Sequence, residues 1–374
     1  MRPVRVFIIG GGLSGLSAGI FLAQKGIQVQ LMEKKAYPFH RVCGEYVSNE
    51  VIPFLKKLGI NPLEWGTSQI EELEVSSAKG RTISQKLDLG GFGISRYTLD
   101  LILFNALKKA GAETIIGEKI VQVDYKSGEF ILLDSIGREF YADYVIGAFG
   151  KRSNLDPVLN RSFFKQRSPF MGVKYHIRLD MPKNLIQLHN FEKGYAGISA
   201  IENNIFCLCY LSHNSHLKKY GSIVEMESSI LKKNPFLKNI FDSAEFLWEK
   251  PLVINEISFS PKESIVNHIL MSGDSAGLIS PLCGNGMAMA IHSGKMVGET
   301  ILEGGICDSI MERSYLEKKY ALQWNKLFRN RLWVGRQIQN ILGNSDLTHY
   351  TLGLLKTFPW ITQTLIKNTH GTPF

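Results

Sequence analysis

The sequence predicts an α/β fold with a mainly parallel sheet flanked by helices, an inserted antiparallel sheet, and a helical C-terminal segment. Three observations lead to this prediction. Residues 4–32 hold an apolar run, a glycine-rich turn, a helical stretch and a second apolar run, which is the pattern of a βαβ unit. Residues 163–260 alternate as short strands and loops, which is typical of an antiparallel sheet. Residues 268–303 return to a buried strand, a glycine-punctuated loop and a helix, and residues 311–374 are mostly helical in pattern.

The return to the first pattern after residue 260 predicts that the parallel-sheet domain is discontinuous. A chain of 374 residues is long enough for two domains and a small third piece. We therefore expect the parallel-sheet domain over 1–75, 95–162 and 261–310, the antiparallel-sheet domain over 76–94 and 163–260, and the helical segment over 311–374.

Composition excludes several classes of protein. Hydrophobic residues make up 44% and charged residues 21%, which is ordinary for a globular protein and excludes disorder, coiled coil and collagen. The net charge of +9 favours phosphates, acidic substrates or an anionic membrane face. The positive charge is scattered, so no nucleic-acid partner is expected. The five cysteines form no C-x-x-C and the histidines lack metal spacing, so no metal site is expected.

No window of about 18 uninterrupted apolar residues occurs, so no transmembrane helix is expected and the predicted compartment is the cytoplasm. Residues 352–366 are largely apolar, interrupted by Lys356 and followed by Lys367. They could form an amphipathic lip that touches lipid or caps a pocket, or they could pack against the core. Peripheral membrane contact therefore stays open, and no oligomeric state is predicted.

The N-terminal glycine motif gives the strongest chemical signal. Gly10-x-Gly12-x-x-Gly15 follows a predicted strand and opens a predicted helix, and Glu33 ends the next strand. In a dinucleotide-binding turn, the three glycines allow the tight turn, the approach of a pyrophosphate and the close packing of the helix. The helix N-terminus supplies free N–H groups for phosphates. Glu33 would accept hydrogen bonds from an adenosine ribose, which suits FAD or NAD and opposes the 2′-phosphate of NADP.

A second glycine-rich loop follows about 260 residues later. Gly273-Asp274 ends a predicted strand, and the loop Pro281-Leu-Cys-Gly284-Asn285-Gly286 opens a predicted helix. Asp274 would bind the ribityl hydroxyls of a flavin. The N-terminus of the second helix would point at the pyrimidine edge of the ring, where negative charge develops on reduction.

With both motifs in this order, the chain resembles the FAD-dependent oxidoreductases that share the p-hydroxybenzoate hydroxylase fold. Among them it is most similar to the geranylgeranyl reductase family. The resemblance spans residues 1–310 and implies a Rossmann-type FAD-binding domain with a substrate domain built on the inserted sheet. Its most reductase-like part is Cys43-Gly44-Glu45. The matching motifs are the N-terminal glycine motif, His40–Ser48, Ser95–Asp100, Asp143–Ala148 and the Gly-Asp loop.

The resemblance also implies roles for single residues. Arg41 and Arg96 match positions that contact FAD phosphate or ribityl groups, and the backbone of Ile120 matches the position that meets adenine. Cys43 and Gly44 would lie beside the flavin, with Cys43 either a redox or proton-donating thiol or a small packing residue. The predicted FAD-binding residues are Gly10, Gly12, Leu13, Ser14, Gly15, Glu33, Lys34, Arg41, Cys43, Gly44, Arg96, Ile120, Gly150, Gly273, Asp274, Pro281, Gly284, Asn285 and Gly286.

Two elements depart from the family pattern. Gly147-Ala148-Phe149-Gly150 replaces the usual Gly-Ala-Asp-Gly, whose carboxylate normally helps to hold FAD and shapes the approach of a pyridine nucleotide. NAD(P)H is the predicted electron donor, with a ferredoxin or another flavin as alternatives. The family's substrate motif Tyr-x-Trp-x-Phe-Pro is reduced to Tyr195 within residues 194–199, so the substrate need not be a polyprenyl chain.

These inferences predict an FAD-dependent oxidoreductase that reduces C=C bonds of an apolar small molecule. Three alternatives stay open. They are a flavin monooxygenase that hydroxylates an aromatic or polyketide-like substrate, a halogenase-like enzyme, and a flavin-binding protein without turnover. Tyr175, His189 and Tyr195 lie in the sheet domain and are the candidate substrate-facing residues.

Overall fold

The structure, a computed structural model, describes residues 2–307 and 309–374. The strands, in chain order, are β1 (Arg5–Ile9), β2 (Gln28–Glu33), β3 (Tyr46–Ser48), β4 (Ser68–Ser76), β5 (Thr82–Gly93), β6 (Glu113–Ile116), β7 (Ile120–Lys126), β8 (Glu129–Asp134), β9 (Glu139–Ala142), β10 (Tyr144–Gly147), β11 (Phe170–Arg178), β12 (Leu185–Phe191), β13 (Gly194–Ala200), β14 (Phe206–His213), β15 (Glu245–Phe246), β16 (Leu252–Ile254), β17 (Ile265–Val266) and β18 (Ile269–Met271). The α-helices are α1 (Leu13–Ala23), α2 (Ile52–Lys57), α3 (Arg96–Lys109), α4 (Leu155–Val158), α5 (Asn214–Tyr220), α6 (Ile223–Ser229), α7 (Pro235–Ser243), α8 (Gly286–Gly304), α9 (Ile310–Leu342), α10 (Ser345–Thr357) and α11 (Pro359–Thr369).

The first sheet is the parallel sheet that the βαβ pattern predicts. Its strand order is β17-β18-β10-β1-β2-β6, and every neighbouring pair is parallel except β17 with β18. Phe7 and Ile8 in β1 are fully buried because both faces of the sheet are covered. Ile8 lies beneath the glycines of α1, whereas the ring of Phe7 packs 5.2 Å from that of Phe140 in β9. The predicted α/β fold class is confirmed, with an antiparallel sheet of β7, β8 and β9 covering one face in place of a helix.

The inserted sheet is large and mostly antiparallel. Its order is β15-β11-β14-β13-β12-β4-β5-β3, with β16 also paired to β11, and the β12–β4 pair is parallel. Helices α6 and α7 cover one face of this sheet, where their side chains form an apolar cluster with alternate residues of β11, β13 and β14. The boundary that we predict at residue 75 falls inside β4.

The C-terminal helices begin on the first sheet and end near the inserted one. In α9, Tyr320 donates a hydrogen bond of 2.6 Å to the carbonyl of Met271, and the ring of Trp324 is buried in the core of the first sheet. In α10, Leu352 packs with Val75 and Ile83 of the inserted sheet. Within the described residues, every helix is too short or too polar to cross a lipid bilayer.

His292 on α8 gives a pH-dependent contribution to stability. Its ring stacks on Phe374 with 3.8 Å between ring centroids, and burial lowers its pKa to about 3. A histidine whose folded pKa is depressed stabilises the fold above its unfolded pKa near 6.5 and loses that contribution as the pH falls. We expect the free energy of unfolding to fall by about 2 kcal/mol between pH 7 and pH 5 from this group alone.

Urea unfolding of the wild type and of His292→Leu at the two pH values tests this expectation. The leucine variant should lose less stability on acidification by about that amount, because it has no group to protonate at this position. Parallel pH dependences of the two proteins would contradict the assignment.

Candidate functional site

The predicted glycine turn lies between β1 and α1. Gly10 has a φ of +106°, and a Cβ there would lie 2.5 Å from the carbonyl oxygen of Ala148, so only glycine fits. A Cβ on Gly15 would lie 2.1 Å from the carbonyl oxygen of Gly10, so this residue allows the close packing of helix and strand. At Gly12 a Cβ would meet nothing within 4 Å, so this residue borders open space. The three glycines thus have the separate functions that a dinucleotide site requires.

The second motif packs directly against the first. The hydroxyl oxygens of Ser14 and Ser272 are 2.6 Å apart, although 258 positions separate them in the chain. Gly273 has a φ of +67°, and a Cβ on it would lie 3.0 Å from the Cβ of Ser14. Gly294 in α8 brings that helix onto α1, since a Cβ there would lie 2.6 Å from the Ser14 carbonyl oxygen. The two motifs therefore form one site.

Both helices that point at this site begin without a side-chain cap. Gly12 precedes α1 and Asn285 precedes α8, and neither position provides a capping side-chain hydrogen bond. The first-turn N–H groups of an α-helix have no partner within the helix, so they are available to an anion or an electron-rich ring edge. This arrangement fits a phosphate at α1 and the pyrimidine edge of a flavin at α8.

Asp100 holds the two predicted arginines. Arg96 forms two hydrogen bonds with its carboxylate, at 2.7 and 2.8 Å, and Nε of Arg41 forms a third at 2.9 Å. Burial would lower the pKa of Arg96, but the Asp100 carboxylate raises it above its ordinary value. Arg41 also reaches the carbonyl of Gly11 and the carboxylate of Glu33, at 3.3 and 3.4 Å. Both arginines are thus fixed beside the glycine turn.

The carboxyl group of Asp274 faces the same space. Burial raises its pKa, although Lys262 and Arg96 act in the opposite direction. Among the described residues, none donates a hydrogen bond to this carboxyl group. The Lys262 ammonium instead binds the backbone carbonyl of Asp274 at 2.8 Å, and burial lowers its pKa to about 8. The Asp274 carboxyl group is therefore available to ligand hydroxyls, as a ribityl chain would require.

One cavity of about 820 Å³ connects these features. Its lining contains most of the predicted cofactor residues, so the folded chain brings them to one cavity. These residues are Gly10, Gly12, Leu13, Ser14, Glu33, Lys34, Arg41, Cys43, Gly44, Arg96, Ile120, Gly150, Gly273, Asp274, Pro281, Gly284 and Gly286, and Tyr195 lines the cavity as well.

Two predicted cofactor residues lie outside the lining. Gly15 is covered by the backbone of Gly10, so it contributes through packing. Asn285 is fully buried and donates a side-chain hydrogen bond of 2.7 Å to the carbonyl of Thr369. Its amide nitrogen therefore holds the loop before α8 against the C-terminus.

Tyr175 and His189 do not face the cavity, which corrects the prediction that they could contact substrate. The Tyr175 hydroxyl donates to Glu227 in α6 at 3.0 Å. His189 stacks on Phe236, hydrogen-bonds Ser76 at 2.8 Å, and burial lowers its pKa to about 4. Successive strand residues point to opposite faces, and these two lie on the face covered by helices.

Tyr195 lies on the face of β13 that lines the cavity, and the residues that follow it point alternately toward the cavity and toward the helices. Gly197 and Ser199, two and four residues later in β13, line the cavity, whereas Ala196 and Ile198 pack under the helices. Burial raises the pKa of Tyr195 well above its ordinary value, so its hydroxyl is neutral.

Behind Cys43 and Gly44 lies a buried ion pair that the sequence did not reveal. Glu45 forms an ion pair with Lys174, accepts a hydrogen bond from the Arg96 backbone N–H at 2.7 Å, and contacts Nε2 of His176 at 2.7 Å. The Glu45 and Lys174 side chains are fully buried. Burial would raise the pKa of Glu45, but Lys174 and His176 lower it below its ordinary value. We call Glu45, Lys174 and His176 the buried triad.

Two members of the buried triad lie near Cys207, but their charges and hydrogen bonds do not suit a metal ion. Glu45, His176 and Cys207 place three ligand-type atoms within 4.8 Å of one another. The Lys174 ammonium already neutralises the carboxylate, and burial raises the pKa of Cys207 well above its ordinary value, so the thiol stays protonated. The Cys207 thiol instead donates to the carbonyl of Cys43 at 3.3 Å. The triad and Cys207 thus fix the turn that faces the cavity.

Beyond the turn, the cavity becomes apolar. The inserted sheet supplies one wall and the C-terminal helices supply another, so the cavity lies between a polar end at the glycine motifs and an apolar end. The apolar lining includes Leu73, Val75, Ile83, Leu87, Ile186, Leu188, Ile338, Ile341, Leu352, Leu355, Leu365 and Ile366.

Comparison with known proteins agrees with the geometry. Residues 3–183 match the family described as FAD binding domain. The geometry of the site fits FAD on independent grounds. One cavity contains the open space at Gly12, the uncapped starts of α1 and α8, and the available carboxyl group of Asp274.

The matches include a protein named as a reductase and two solved structures, one reductase-like and one a flavin-dependent brominase. The chain is 23% identical over 363 residues to digeranylgeranylglycerophospholipid reductase 1 of Methanopyrus kandleri, with 91% of each chain covered. Its fold matches a geranylgeranyl bacteriochlorophyll reductase-like protein of Thermoplasma acidophilum with a TM-score of 0.75, 17% identity, and 99% and 93% of the two chains covered. It also matches the flavin-dependent brominase Bmp2 with a TM-score of 0.77, 16% identity, and 98% and 93% covered. The structural matches show a shared fold.

Proposed function

We propose that this chain, an FAD-dependent oxidoreductase similar to the geranylgeranyl reductases, reduces carbon–carbon double bonds of an apolar substrate. The observation that supports this most strongly is the continuity of the cavity. It extends from Gly12 and Asp274, past Cys43 and Gly44, to the apolar end lined by leucines and isoleucines. A hydrocarbon chain in that end would place a double bond next to the turn that faces the flavin position.

Different residues along the cavity would bind different parts of the cofactor and the substrate. The first turn of α1, Arg41 and Glu33 would bind the pyrophosphate and ribose of FAD, and Asp274 would bind the ribityl chain. Reduced FAD, when bound, supplies a hydride for one alkene carbon. The apolar end would orient the substrate and exclude water.

Cys43 is our candidate for the donor of the proton that the second alkene carbon requires. It lines the cavity, and burial raises the pKa of its thiol, so Sγ holds a proton at neutral pH. A thiol that has given its proton to carbon would regain one from water. Gly44, whose added Cβ would meet nothing within 4 Å, leaves room for a planar ring beside this thiol.

The flavin spectrum tests the proposed reaction. Protein reconstituted with FAD is reduced under anaerobic conditions with dithionite and mixed with digeranylgeranylglycerophospholipid. We expect the yellow oxidised spectrum to return, and the lipid to gain two hydrogen atoms for each bond reduced. Reoxidation only on admission of air, with hydroxylated product from an aromatic substrate, would favour the monooxygenase alternative that the brominase fold permits.

We further propose NAD(P)H as the electron donor, with ferredoxin and free reduced flavin as the alternatives. Phe149 lines the cavity where the family has an aspartate, and Lys151 and Arg152 follow it along the lining. Anaerobic bleaching of the bound flavin by NADPH or NADH would support this donor. Bleaching by reduced ferredoxin alone would contradict it.

Replacement of Cys43 tests the proton donor. We expect Cys43→Ala to lower the rate of alkene reduction by about 100-fold, the usual size of a general-acid contribution, without loss of bound FAD. Cys283→Ala is the matched control, since this cysteine also lines the cavity but lies against α9, near Gly335. Equal rates for Cys43→Ala and the control would assign Cys43 a packing role only.

A further inference from the structure

Helix α10 is apolar on two opposite faces. Leu352 and Leu355 point inward and line the cavity. Leu347, Tyr350 and Leu354 recur at intervals of three and four residues, which places them on one side of the helix, and they are 46%, 73% and 54% exposed. A helix that only packed on the core would carry polar side chains on that outer face.

The exposed apolar surface continues into the next helix. Phe358 and Trp360, at the start of α11, are 43% and 65% exposed. We call Leu347, Tyr350, Leu354, Phe358 and Trp360 the outer apolar face. It contains three aromatic side chains, and tyrosine and tryptophan are the residues that favour the boundary between water and lipid.

The opening of the cavity lies in the same helical segment. Trp333 in α9 lines the cavity and is also 55% exposed, so it marks a position where the apolar end reaches the surface. The outer apolar face therefore lies on helices that form the wall of the cavity. Helices α9, α10 and α11 pack on one another, so a surface on which this face rests would lie against the helical segment that contains the entrance.

The charge of this segment favours one type of partner. Residues 311–374 contain nine lysines and arginines and three acidic residues, so +6 of the net +9 charge of the chain lies here. Arg313 is buried, and Lys319, Arg331 and Lys367 pair with Glu303, Glu50 and Asp88. Lys326, Arg329 and Lys356 are exposed and form no ion pair within the described part of the chain. A second copy of the chain would bring an equal positive charge against it, whereas an anionic lipid surface would neutralise it.

We propose that the outer apolar face docks the protein on the surface of an anionic phospholipid membrane, so that an apolar substrate can enter the cavity beside Trp333 without crossing water. The helices lie at the interface with their apolar side chains among the headgroups, and the basic residues bind the lipid phosphates. This docking goes beyond the proposed reaction and does not depend on it.

Sedimentation with vesicles tests the docking. Wild-type protein should sediment with vesicles of phosphatidylglycerol and phosphatidylcholine, and less with vesicles of phosphatidylcholine alone or at high salt. The variant Tyr350→Ser/Leu354→Ser/Trp360→Ser should bind the anionic vesicles about tenfold or more weakly. The matched control Ile136→Ser/Val224→Ser removes apolar residues that are 62% and 66% exposed elsewhere, and should bind as the wild type does.

Bound FAD and thermal unfolding of each variant are measured alongside, and both should be unchanged in the triple variant. Equal binding by the wild type and the triple variant, or no sedimentation of the wild type with anionic vesicles, would overturn the proposal. A wild-type dimer in solution that the triple substitution converts to a monomer would overturn it in favour of a second copy. Sedimentation measures how much protein binds to the vesicles and does not depend on enzymatic turnover. The docking test can therefore be interpreted even if the proposed reaction does not occur.

Discussion

The variant Gly12→Val is expected to fold normally but to bind FAD about 100-fold more weakly than the wild type, or about 2.7 kcal/mol. Gly12 has an extended backbone with φ of −85° and ψ of −178°, which a valine adopts without strain. A Cβ at this position meets nothing within 4 Å, so the apoprotein tolerates it. The added side chain instead occupies the space through which a pyrophosphate would approach the first N–H groups of α1.

Titration of the apoprotein with FAD, followed by quenching of flavin fluorescence, measures the affinity. The contrasting variant is Gly15→Val, in which the new Cβ would lie 2.1 Å from the carbonyl oxygen of Gly10. That variant should lose stability in the absence of FAD as well as affinity. Wild-type affinity in Gly12→Val would mean that the pyrophosphate does not lie at the start of α1.

The cofactor end of the site was predictable because it depends on local backbone chemistry. Gly10 has a positive φ, a Cβ on Gly15 would collide with the backbone, and Gly12 borders open space. Constraints of this kind select glycine at fixed spacing, so they are visible in the sequence. The contact between Ser14 and Ser272 could be expected once both motifs were assigned to one ligand. The same reasoning predicted a parallel sheet around β1, whereas the order of its strands came from the structure.

The substrate end was less predictable because it depends on which face each strand turns inward. Tyr175 and His189 lie in the region that the sequence predicts as an antiparallel sheet, but a period-two pattern does not reveal which face a helix will cover. Helices α6 and α7 determine which face of the sheet is covered, and they bury Tyr175 and Tyr210 against Glu227. Likewise, no local signal linked Glu45 with Lys174, which lies 129 positions later. An alternation of Lys174 and His176 in an otherwise apolar strand was the available clue.

Replacement of Lys174 by methionine is expected to lower the free energy of unfolding by about 3–5 kcal/mol at pH 7. Methionine has a similar length but leaves the Glu45 carboxylate buried without its ammonium partner. An unpaired buried charge costs much more than the intact pair contributes, so the double variant Glu45→Gln/Lys174→Met should recover part of the loss. Urea unfolding of the wild type, both single variants and the double variant measures this coupling.

The pH dependence of Lys174→Met separates loss of a charge partner from loss of packing. Lys174 and His176 lower the pKa of Glu45 in the wild type, against the effect of burial. Without Lys174, burial raises the pKa of Glu45 above its value in the unfolded chain, so the folded state binds a proton more tightly. The stability defect should then be smaller at pH 5 than at pH 7, because protonation removes the buried charge. A defect of equal size at both pH values would mean that Lys174 supports the Cys43–Gly44 turn through its volume and not through its charge.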